Sequence, residues 1–188
     1  MPWVTEMRAT QKEPVLRDLS KTMGALGSEE RVKILLEKYH SHDPFNPHPP
    51  FFFGTHYSSP GVIFNYLIRL SPFTEYCKQL QGGKFDIPDR LFSSMTNCWK
   101  SATEEVSDVR ELVPEFYYLP EILLNVDANY FGVTQLGERI NHVEIPAWGA
   151  GNAYYFVMQL KIMIESEECS GMLGGWLDLI FGYRQRGK

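Results

Sequence analysis

The sequence has 188 residues, of which 44% are hydrophobic and 14% are aromatic, so it can form one domain with a sizeable core. Its formal net charge of −5 argues against a nucleic-acid partner, because phosphate binding needs clustered Lys and Arg. The three cysteines (Cys77, Cys98 and Cys169) include no CxxC pair, which favours reduced thiols in a cytosolic protein. No apolar run reaches the roughly 20 residues that cross a bilayer, and the N-terminus does not resemble a signal peptide.

The first helix is predicted over residues 29–40. Ser28 is a suitable N-cap, and acidic residues follow it in the first turn. Apolar side chains then recur with helical spacing, which predicts a buried face made of Val32, Leu35, Leu36 and Tyr39. The stretch from His40 to Phe52 is predicted to be a loop, because its four prolines exclude a continuing helix.

Three more helices are predicted before residue 105. Ser59 and Ser71 each precede a proline, the pattern of an N-cap with proline at the first helical position. The helix after Ser71 is expected to end at Gly82 and to bury Phe73, Tyr76, Cys77 and Leu80. The third is expected to start near Pro88 and to bury Leu91, Phe92, Met95 and Trp99.

The stretch between residues 111 and 149 is apolar and aromatic, yet prolines and glycines interrupt any regular period. It is predicted to be buried but irregular, with side chains satisfying many of its backbone N–H and C=O groups. We expect little regular structure before residue 119, and burial of Phe116, Tyr117 and Leu119. Two helices, over residues 152–168 and 171–182, should follow. The predicted fold class is therefore mainly α, with a large irregular, extended core and little regular β-sheet.

His56, Ser58 and Ser59 are the candidates for nucleophilic catalysis, as base and nucleophile of a cytosolic serine hydrolase. Side chains this close in sequence seldom reach the required geometry, and no G-x-S-x-G motif is present. We therefore interpret His56 and Ser59 as structural, with Ser59 capping a helix. A metal site could be imagined in the loop at His40, His42, Asp43 and His48, but their spacing matches no known ligand set. No nucleotide-binding motif is present. No metal or cofactor is predicted.

Acidic residues concentrate between Thr103 and Ile145, where nine acids stand against two arginines. A solvated face is one interpretation, and a docking surface for a basic partner is the other. The charged residues that we predict to contact a protein partner, here and elsewhere, are Arg17, Asp18, Lys21, Glu104, Glu105, Arg184 and Arg186.

Asp178 lies in an apolar helix, where a charged carboxylate is costly without a partner. We predict that Asp178 is mostly buried and hydrogen-bonded to an arginine or to backbone donors. A catalytic role would need a second titratable group, and the sequence offers none nearby. Asp178 is therefore predicted to be structural, as are Trp99, Trp148 and Trp176.

Blocks spread over the whole chain resemble the BEACH domain family, which includes neurobeachin and the lysosomal trafficking regulator. The blocks follow the family's order and include PW, RDLSKTMGAL, GTHYSSPGVIFNYLIRLSPFT, LQGGKFDIPDRLF, DVRELVPEFYYLPEILLN, GERINHVEIPAWG and WLDLIFGYRQRG. The resemblance implies helices around extended segments that lack regular secondary structure. The chain departs from the family at Thr22, where proline is usual, and at Gly174 and Gly175, where a polar pair is usual.

The resemblance implies a non-enzymatic scaffold in membrane trafficking, acting in vesicle fusion or fission, lysosome-related organelles or autophagy. It implies protein partners, with a pleckstrin-homology-like domain before and a WD-repeat propeller after the domain in a full-length parent. It also implies a cytoplasmic protein that associates with endomembranes peripherally and through partners. The alternatives are the serine hydrolase described above and a degenerate, non-functional fragment.

The family carries further sequence before and after the matching blocks, so residues 1–188 are expected to be a partial BEACH domain. If flanking segments normally cover its core, an apolar surface larger than the usual 300–600 Å² should be exposed. We expect that surface to involve residues 1–15 and 173–183.

Overall fold

Two short strands, β1 (Val4–Arg8) and β2 (Glu13–Leu16), pair antiparallel near the start of the chain. The computed structural model describes residues 4–8, 13–52 and 59–186. Within these ranges the strands form the one sheet, and the other regular elements are six α-helices and short 3-10 turns. The prediction of a mainly α fold with little regular β-sheet is confirmed.

Helix α1 (Glu29–His40) begins where it was predicted to begin, and the Ser28 hydroxyl accepts a hydrogen bond from the backbone N–H of Arg31. Its buried face differs from the predicted one. Leu35 is buried, but Leu36 is 43% exposed, and Arg31 is buried one turn before Leu35. A charged side chain occupies the inward face because neighbouring backbone carbonyls accept its hydrogen bonds.

Helices α2 (Pro60–Tyr66) and α3 (Phe73–Leu80) lie where two helices were predicted after the loop, but α3 starts one residue late, with Pro72 instead of Ser71 at its N-cap position. Helix α3 buries a narrower face than we predicted, because Cys77 is buried while Tyr76 and Leu80 are exposed. The chain leaves α3 through Gly82 and Gly83, which both have positive φ. The Gly83 N–H donates to the Lys78 carbonyl at 2.7 Å, which closes the end of the helix.

The prediction that one helix starts near Pro88 is wrong. Residues Pro88–Arg90 form a single 3-10 turn, and α4 (Met95–Glu104) begins later, capped by the Ser94 hydroxyl. The residues between the two elements are extended and hydrogen-bond to a distant segment instead. Met95 N–H donates to the Glu144 carbonyl at 3.0 Å, and Glu144 N–H donates to the Ser93 carbonyl at 2.7 Å.

Helices α5 (Ala153–Ile164) and α6 (Glu167–Ile180) form the predicted C-terminal pair, but the break between them comes earlier than expected. The Ser166 hydroxyl accepts a hydrogen bond from the N–H of Cys169 and so starts a new helix. Asn152 caps α5 in the same way, through the N–H of Tyr155. None of the helices in the described part of the chain is long and apolar enough to span a bilayer.

The stretch between α4 and α5 is irregular and buried, as predicted. Its regular pieces are three 3-10 turns, Pro114–Tyr117, Pro120–Leu123 and Ala147–Gly149. Phe116 and Tyr117 are buried and Leu119 is partly buried. The main core gathers around this segment, where the rings of Tyr66, Phe92 and Phe116 meet edge to face at centroid distances of 5.0–5.8 Å.

All three cysteines are buried and free. Burial raises the pKa of the Cys77 thiol to about 11. Burial also raises the pKa of the Cys98 and Cys169 thiols. The thiols are therefore protonated at neutral pH and act as small core residues rather than as nucleophiles.

Apolar side chains are exposed on the two C-terminal helices. Part of the surface predicted for residues 173–183 is present, since Leu177, Phe181 and Tyr183 are exposed. Helix α5 adds a stripe at a spacing of four residues, formed by Tyr154, Met158 and Ile162. The side chains of residues 1–14 lie outside the described part of the chain, so the full size of the predicted surface stays a prediction.

Glycine substitutions at two positions should change stability in opposite directions. Gly27 has φ +86°, and an added Cβ would lie 2.0 Å from the Thr103 carbonyl oxygen, whereas nothing lies within 4 Å of a Cβ at Gly174. Gly27→Ala should lower the free energy of unfolding by about 1–3 kcal/mol through backbone strain alone. Gly174→Ala, in the middle of α6, should raise it by about 0.5–1 kcal/mol. Urea unfolding of both variants measures this, and equal stability of the two variants would contradict the close contact at Gly27.

Candidate functional site

Arg31 is a buried cation where α1, α4 and the turn before α1 meet. It is 2% exposed and donates six hydrogen bonds, at 2.8–3.1 Å, all to backbone carbonyls. We call Arg31 and its acceptors the Arg31 junction; the acceptors belong to Met23, Gly24, Leu26, Ala102, Glu105 and Asp108. Burial lowers the pKa of Arg31, and the charge of Asp108 opposes that effect. The guanidinium, with five N–H donors in a plane, suits a site that brings together carbonyls from three segments.

Asp108 is a fully buried acid beside the Arg31 junction. Its carboxylate accepts hydrogen bonds from the Ser101 hydroxyl at 2.7 Å and from the backbone N–H of Arg110 at 3.1 Å. The Arg110 Nε lies 3.0 Å from Oδ2, the carboxylate oxygen to which the Ser101 hydroxyl also donates. The Arg110 guanidinium also lies over the Tyr66 ring, 5.4 Å from its centroid. This network fixes the irregular chain after α4 without any strand pairing.

Arg17 holds the next part of that chain. The residue is 3% exposed, and its guanidinium donates to a carboxylate oxygen of Glu111 at 2.6 Å and to the Lys21 carbonyl at 2.9 Å. The pair joins the chain after β2 to the segment that follows Asp108. Two of the nine acids that we interpreted as a solvated or docking face, Asp108 and Glu111, are therefore internal ion-pair partners.

Two open surface cavities are lined by residues of α4 and of α1 with their neighbouring turns. The α4 groove has a volume of about 420 Å³ and is lined by Asn97, Lys100, Ser101, Glu104, Glu105 and Ser107. The α1 groove has a volume of about 330 Å³ and is lined by Lys21, Ala25, Gly27, Glu29, Val32, Lys33 and Leu36. Both grooves are open and carry charged side chains at their edges, a character that suits contacts with a protein surface more than enclosure of a small molecule.

Some of the residues predicted to contact a partner line these two grooves, and the others lie elsewhere on the molecule. Glu104 and Glu105 line the α4 groove, and Lys21 lines the α1 groove. Asp18 is exposed beside Lys21, with the Lys21 ammonium 3.4 Å from its carboxylate. The prediction for Arg17 is wrong, because its guanidinium is buried against Glu111 and cannot contact a partner.

Arg184 and Arg186, the last two predicted partner-binding residues, line neither groove. Arg184 is exposed, and its Nε donates to the Tyr183 hydroxyl at 3.2 Å. The Arg186 backbone closes a 3-10 turn, Tyr183–Arg186, and its side chain lies outside the described part.

The prediction that Asp178 is mostly buried and hydrogen-bonded is wrong. Asp178 is half-buried, and its carboxylate accepts no hydrogen bond from any residue that the structure describes. Its Oδ1 lies over Gly182, 2.6 Å from where a Cβ would be. Helix α6 exposes the neighbouring Leu177 and Phe181. The carboxylate therefore sits at the edge of the helix near water and needs no buried partner.

The three tryptophans are packed against the main core. Trp176 is buried, Trp99 is half-buried, and Trp148 stacks on Phe156 with a centroid distance of 4.8 Å. Their contacts are apolar, as a structural role requires.

The residues considered for a hydrolase are only partly visible. His56 and Ser58 lie outside the described residues. Ser59 occupies the N-cap position of α2, yet its hydroxyl accepts no capping hydrogen bond from the described residues of that helix. In the same described ranges, no three His, Cys, Asp or Glu side chains are grouped as a metal site would require.

Sequence reasoning missed the buried charges that organise this region. Arg31, Asp108 and Arg69 are all at most 2% exposed, although charged residues are usually on the surface. A signal existed for two of them. Arg31 lies four residues before Leu35 on the same helix face, and Arg69 lies inside the largely apolar run FNYLIRL, between Ile68 and Leu70.

Comparison with known proteins assigns a family to this arrangement. A family model described as the Beige/BEACH domain matches residues 1–188. BEACH domain-containing protein B of Arabidopsis thaliana is 44% identical over 100% of this chain and 7% of its own length. Human Lysosomal-trafficking regulator is 40% identical over 93% of this chain and 5% of its own length. Mouse WD repeat- and FYVE domain-containing protein 4 is 41% identical over 99% of this chain and 6% of its own length.

The chain thus spans less than a tenth of the length of each of these relatives. With the family model matching every residue, these similarities show that the chain belongs to the Beige/BEACH domain family.

Proposed function

We propose that this chain is a non-enzymatic interaction module that acts as a scaffold in intracellular membrane trafficking. The processes proposed are vesicle fusion or fission, lysosome-related organelles and autophagy. The observation that carries the proposal is the family match over residues 1–188, together with a 40% identical relative named Lysosomal-trafficking regulator. The open, charged character of the two grooves supports binding of protein surfaces.

The partner surface consists of the α1 and α4 grooves with their charged edges. Glu104 and Glu105 outweigh Lys100 in the lining of the α4 groove, which is therefore net acidic. Lys21 and Lys33 outweigh Glu29 in the lining of the α1 groove, which is therefore net basic. The Arg31 junction holds α1 and the end of α4 together, so the elements that line the two grooves are fixed to each other. Exposed charge pairs of this kind set orientation and association rate more than affinity.

The longer relatives suggest the setting in which this module works. A pleckstrin-homology-like domain before residue 1 and a WD-repeat propeller after residue 188 would be further binding units of the parent; one relative carries WD repeats in its name. Residues 1–188 would then be the central part of a larger BEACH domain. Its location would be cytoplasmic, with contact to endomembranes through bound partners.

Charge reversal in the α4 groove tests the proposed surface. Glu104→Lys combined with Glu105→Lys in the full-length parent should reduce recovery of trafficking proteins in quantitative proximity labelling several-fold. A matched control reverses two exposed acids outside the groove, Glu138→Lys with Glu144→Lys, and should leave recovery unchanged. Equal recovery from all three proteins would remove the α4 groove from the proposal.

A serine-reactive phosphonate tests the non-enzymatic part separately. The purified chain should remain unlabelled at Ser58 and Ser59 under conditions that fully label a serine hydrolase. Stoichiometric modification at either serine would replace the scaffold proposal with a hydrolase.

A further inference from the structure

The loop between α1 and α2 exposes an unusually long run of apolar residues. Every residue from Asp43 to Phe52 is exposed, and the run contains four prolines and three phenylalanines. Phe45, at 93% exposed, is the extreme case. None of these loop residues lines the α1 or α4 groove, and the family match gives the loop no function.

Hydrogen bonds hold the first part of the loop in a turn. The N–H of Phe45 donates to the Asp43 carboxylate at 2.9 Å, and the N–H of Asn46 donates to the Asp43 carbonyl at 3.0 Å. The N–H of His48 donates to the Asn46 side chain at 3.0 Å. The turn thus fixes the direction in which the chain enters the proline-rich segment that begins at Pro47.

The proline-rich segment is also anchored at both ends. The His48 carbonyl lies 2.8 Å from the Nε2 atom of His42, and the Phe52 ring stacks on Tyr39 with a centroid distance of 4.9 Å. Between these anchors, Pro49 and Pro50 have no N–H and stay exposed. The segment is held at its ends and presented to solvent in the middle.

The composition of this segment favours a polyproline II conformation. Each proline fixes φ near −65°, and each residue before a proline is biased towards extended backbone. Three of the four residues from Pro47 to Pro50 are prolines, in a P-x-x-P pattern. Such a segment loses little conformational entropy on binding, and aromatic-lined grooves recognise its ring surfaces.

The charges near the proline-rich segment indicate which kind of partner groove can bind it. No Lys or Arg lies between Tyr39 and Phe52, and Asp43 is the one acid. A proline-binding groove that relies on a basic ligand residue is therefore a poor match, and so is an anionic lipid surface, which attracts Lys and Arg. Phe51 follows the two adjacent prolines and is 53% exposed, so it supplies an aromatic contact beside them.

We propose that residues 47–51 form a docking site for a protein domain with an aromatic-lined, proline-recognising groove of the EVH1 kind. In this complex Pro49 and Pro50 pack on the aromatic rings of the groove, and Phe51 enters an adjoining apolar pocket. The site is separate from the α1 and α4 grooves, so its test is independent of the trafficking proposal.

Titration of the 188-residue chain into isotope-labelled EVH1 and SH3 domains, followed by NMR, tests the proposal. The EVH1 domain should show saturable shifts confined to its aromatic groove, and the SH3 domain should show none. Pro49→Ala with Pro50→Ala should weaken binding at least tenfold, and Phe51→Ser should weaken it several-fold. All three positions are exposed, so the variants should melt at the wild-type temperature.

Leu136→Ser is the matched control, because Leu136 is 87% exposed but lies outside the loop. This variant should bind the EVH1 domain with wild-type affinity. The proposal is overturned by an EVH1 domain that shows no shifts, by binding to the SH3 domain alone, or by loss of binding in Leu136→Ser. Flotation of the chain with phosphatidylserine vesicles, abolished by Phe45→Ser, would also overturn it in favour of a membrane contact.

Discussion

Replacing Arg31 with methionine should lower the free energy of unfolding by about 3–5 kcal/mol, the range found when one member of a buried charged network is removed. Methionine fills a similar volume but has no donor. The carbonyls of Ala102 and Asp108, whose bonds to Arg31 are buried, therefore lose their hydrogen bonds to that side chain. Each buried acceptor left without a donor costs about 1–3 kcal/mol. Urea unfolding at equilibrium measures the change as a lower midpoint at constant slope.

Lys33→Met is the matched control for this prediction, since Lys33 lies on the same helix with its side chain 67% exposed. Its stability should change by no more than about 0.5 kcal/mol. Arg31→Lys should fall between the two, because one ammonium keeps the charge but cannot reach carbonyls on three segments. If Arg31→Met unfolds at the wild-type midpoint, the junction does not stabilise the fold.

Local signals predicted where two of the helices begin. Ser28 and Asn152 both start helices that the sequence places within a residue of their observed positions. At Pro88 the same signals predicted the wrong helix start. Hydrogen bonds to Glu144 keep the residues between the Pro88–Arg90 turn and α4 extended. That competition depends on a segment some 50 residues away, and no local pattern contains it.

Buried charge was the least predictable feature, and the errors went both ways. Asp178 lies in an apolar run and was expected to be buried and paired, yet α6 packs by one face only and leaves it near water. Asp108 lies in an acidic stretch that we interpreted as either a solvated face or a docking surface, yet it is fully buried. Whether an acid is inside depends on which donors the tertiary fold brings to it, here Ser101 and Arg110.

The same limit applies to the candidate surface. The sequence marked Lys21, Glu104 and Glu105 as candidates, and the structure places them on the edges of two neighbouring grooves. It also marked Arg17, which lies next to Asp18 in sequence but turns inward to Glu111. Adjacent charged residues in a sequence can thus face opposite sides of the chain, and only the fold separates the surface members from the structural ones.

Arg69→Met should lower the free energy of unfolding by about 2–4 kcal/mol, and it tests a buried cation that pairs with no carboxylate among the described residues. The Arg69 guanidinium donates to the carbonyls of Asn141 and Phe92 at 2.7–2.9 Å and lies 5.1 Å from the Phe131 ring centroid. Burial lowers its pKa to about 10, so the group is still charged at neutral pH. Methionine removes the donors and the cation–π contact. The expected loss is smaller than at Arg31 because Arg69 serves two carbonyl groups and Arg31 serves six.

Arg90→Met provides the comparison, because Arg90 is 70% exposed and its 3.7 Å contact with Asp86 is a surface ion pair. Loss of such a pair costs about 0–1 kcal/mol. The two arginines carry the same charge, so any larger effect at Arg69 comes from burial and from the carbonyls it joins. Because Asn141 and Phe92 lie on separate segments of the irregular core, a stability equal to that of Arg90→Met would mean that these segments hold together without Arg69.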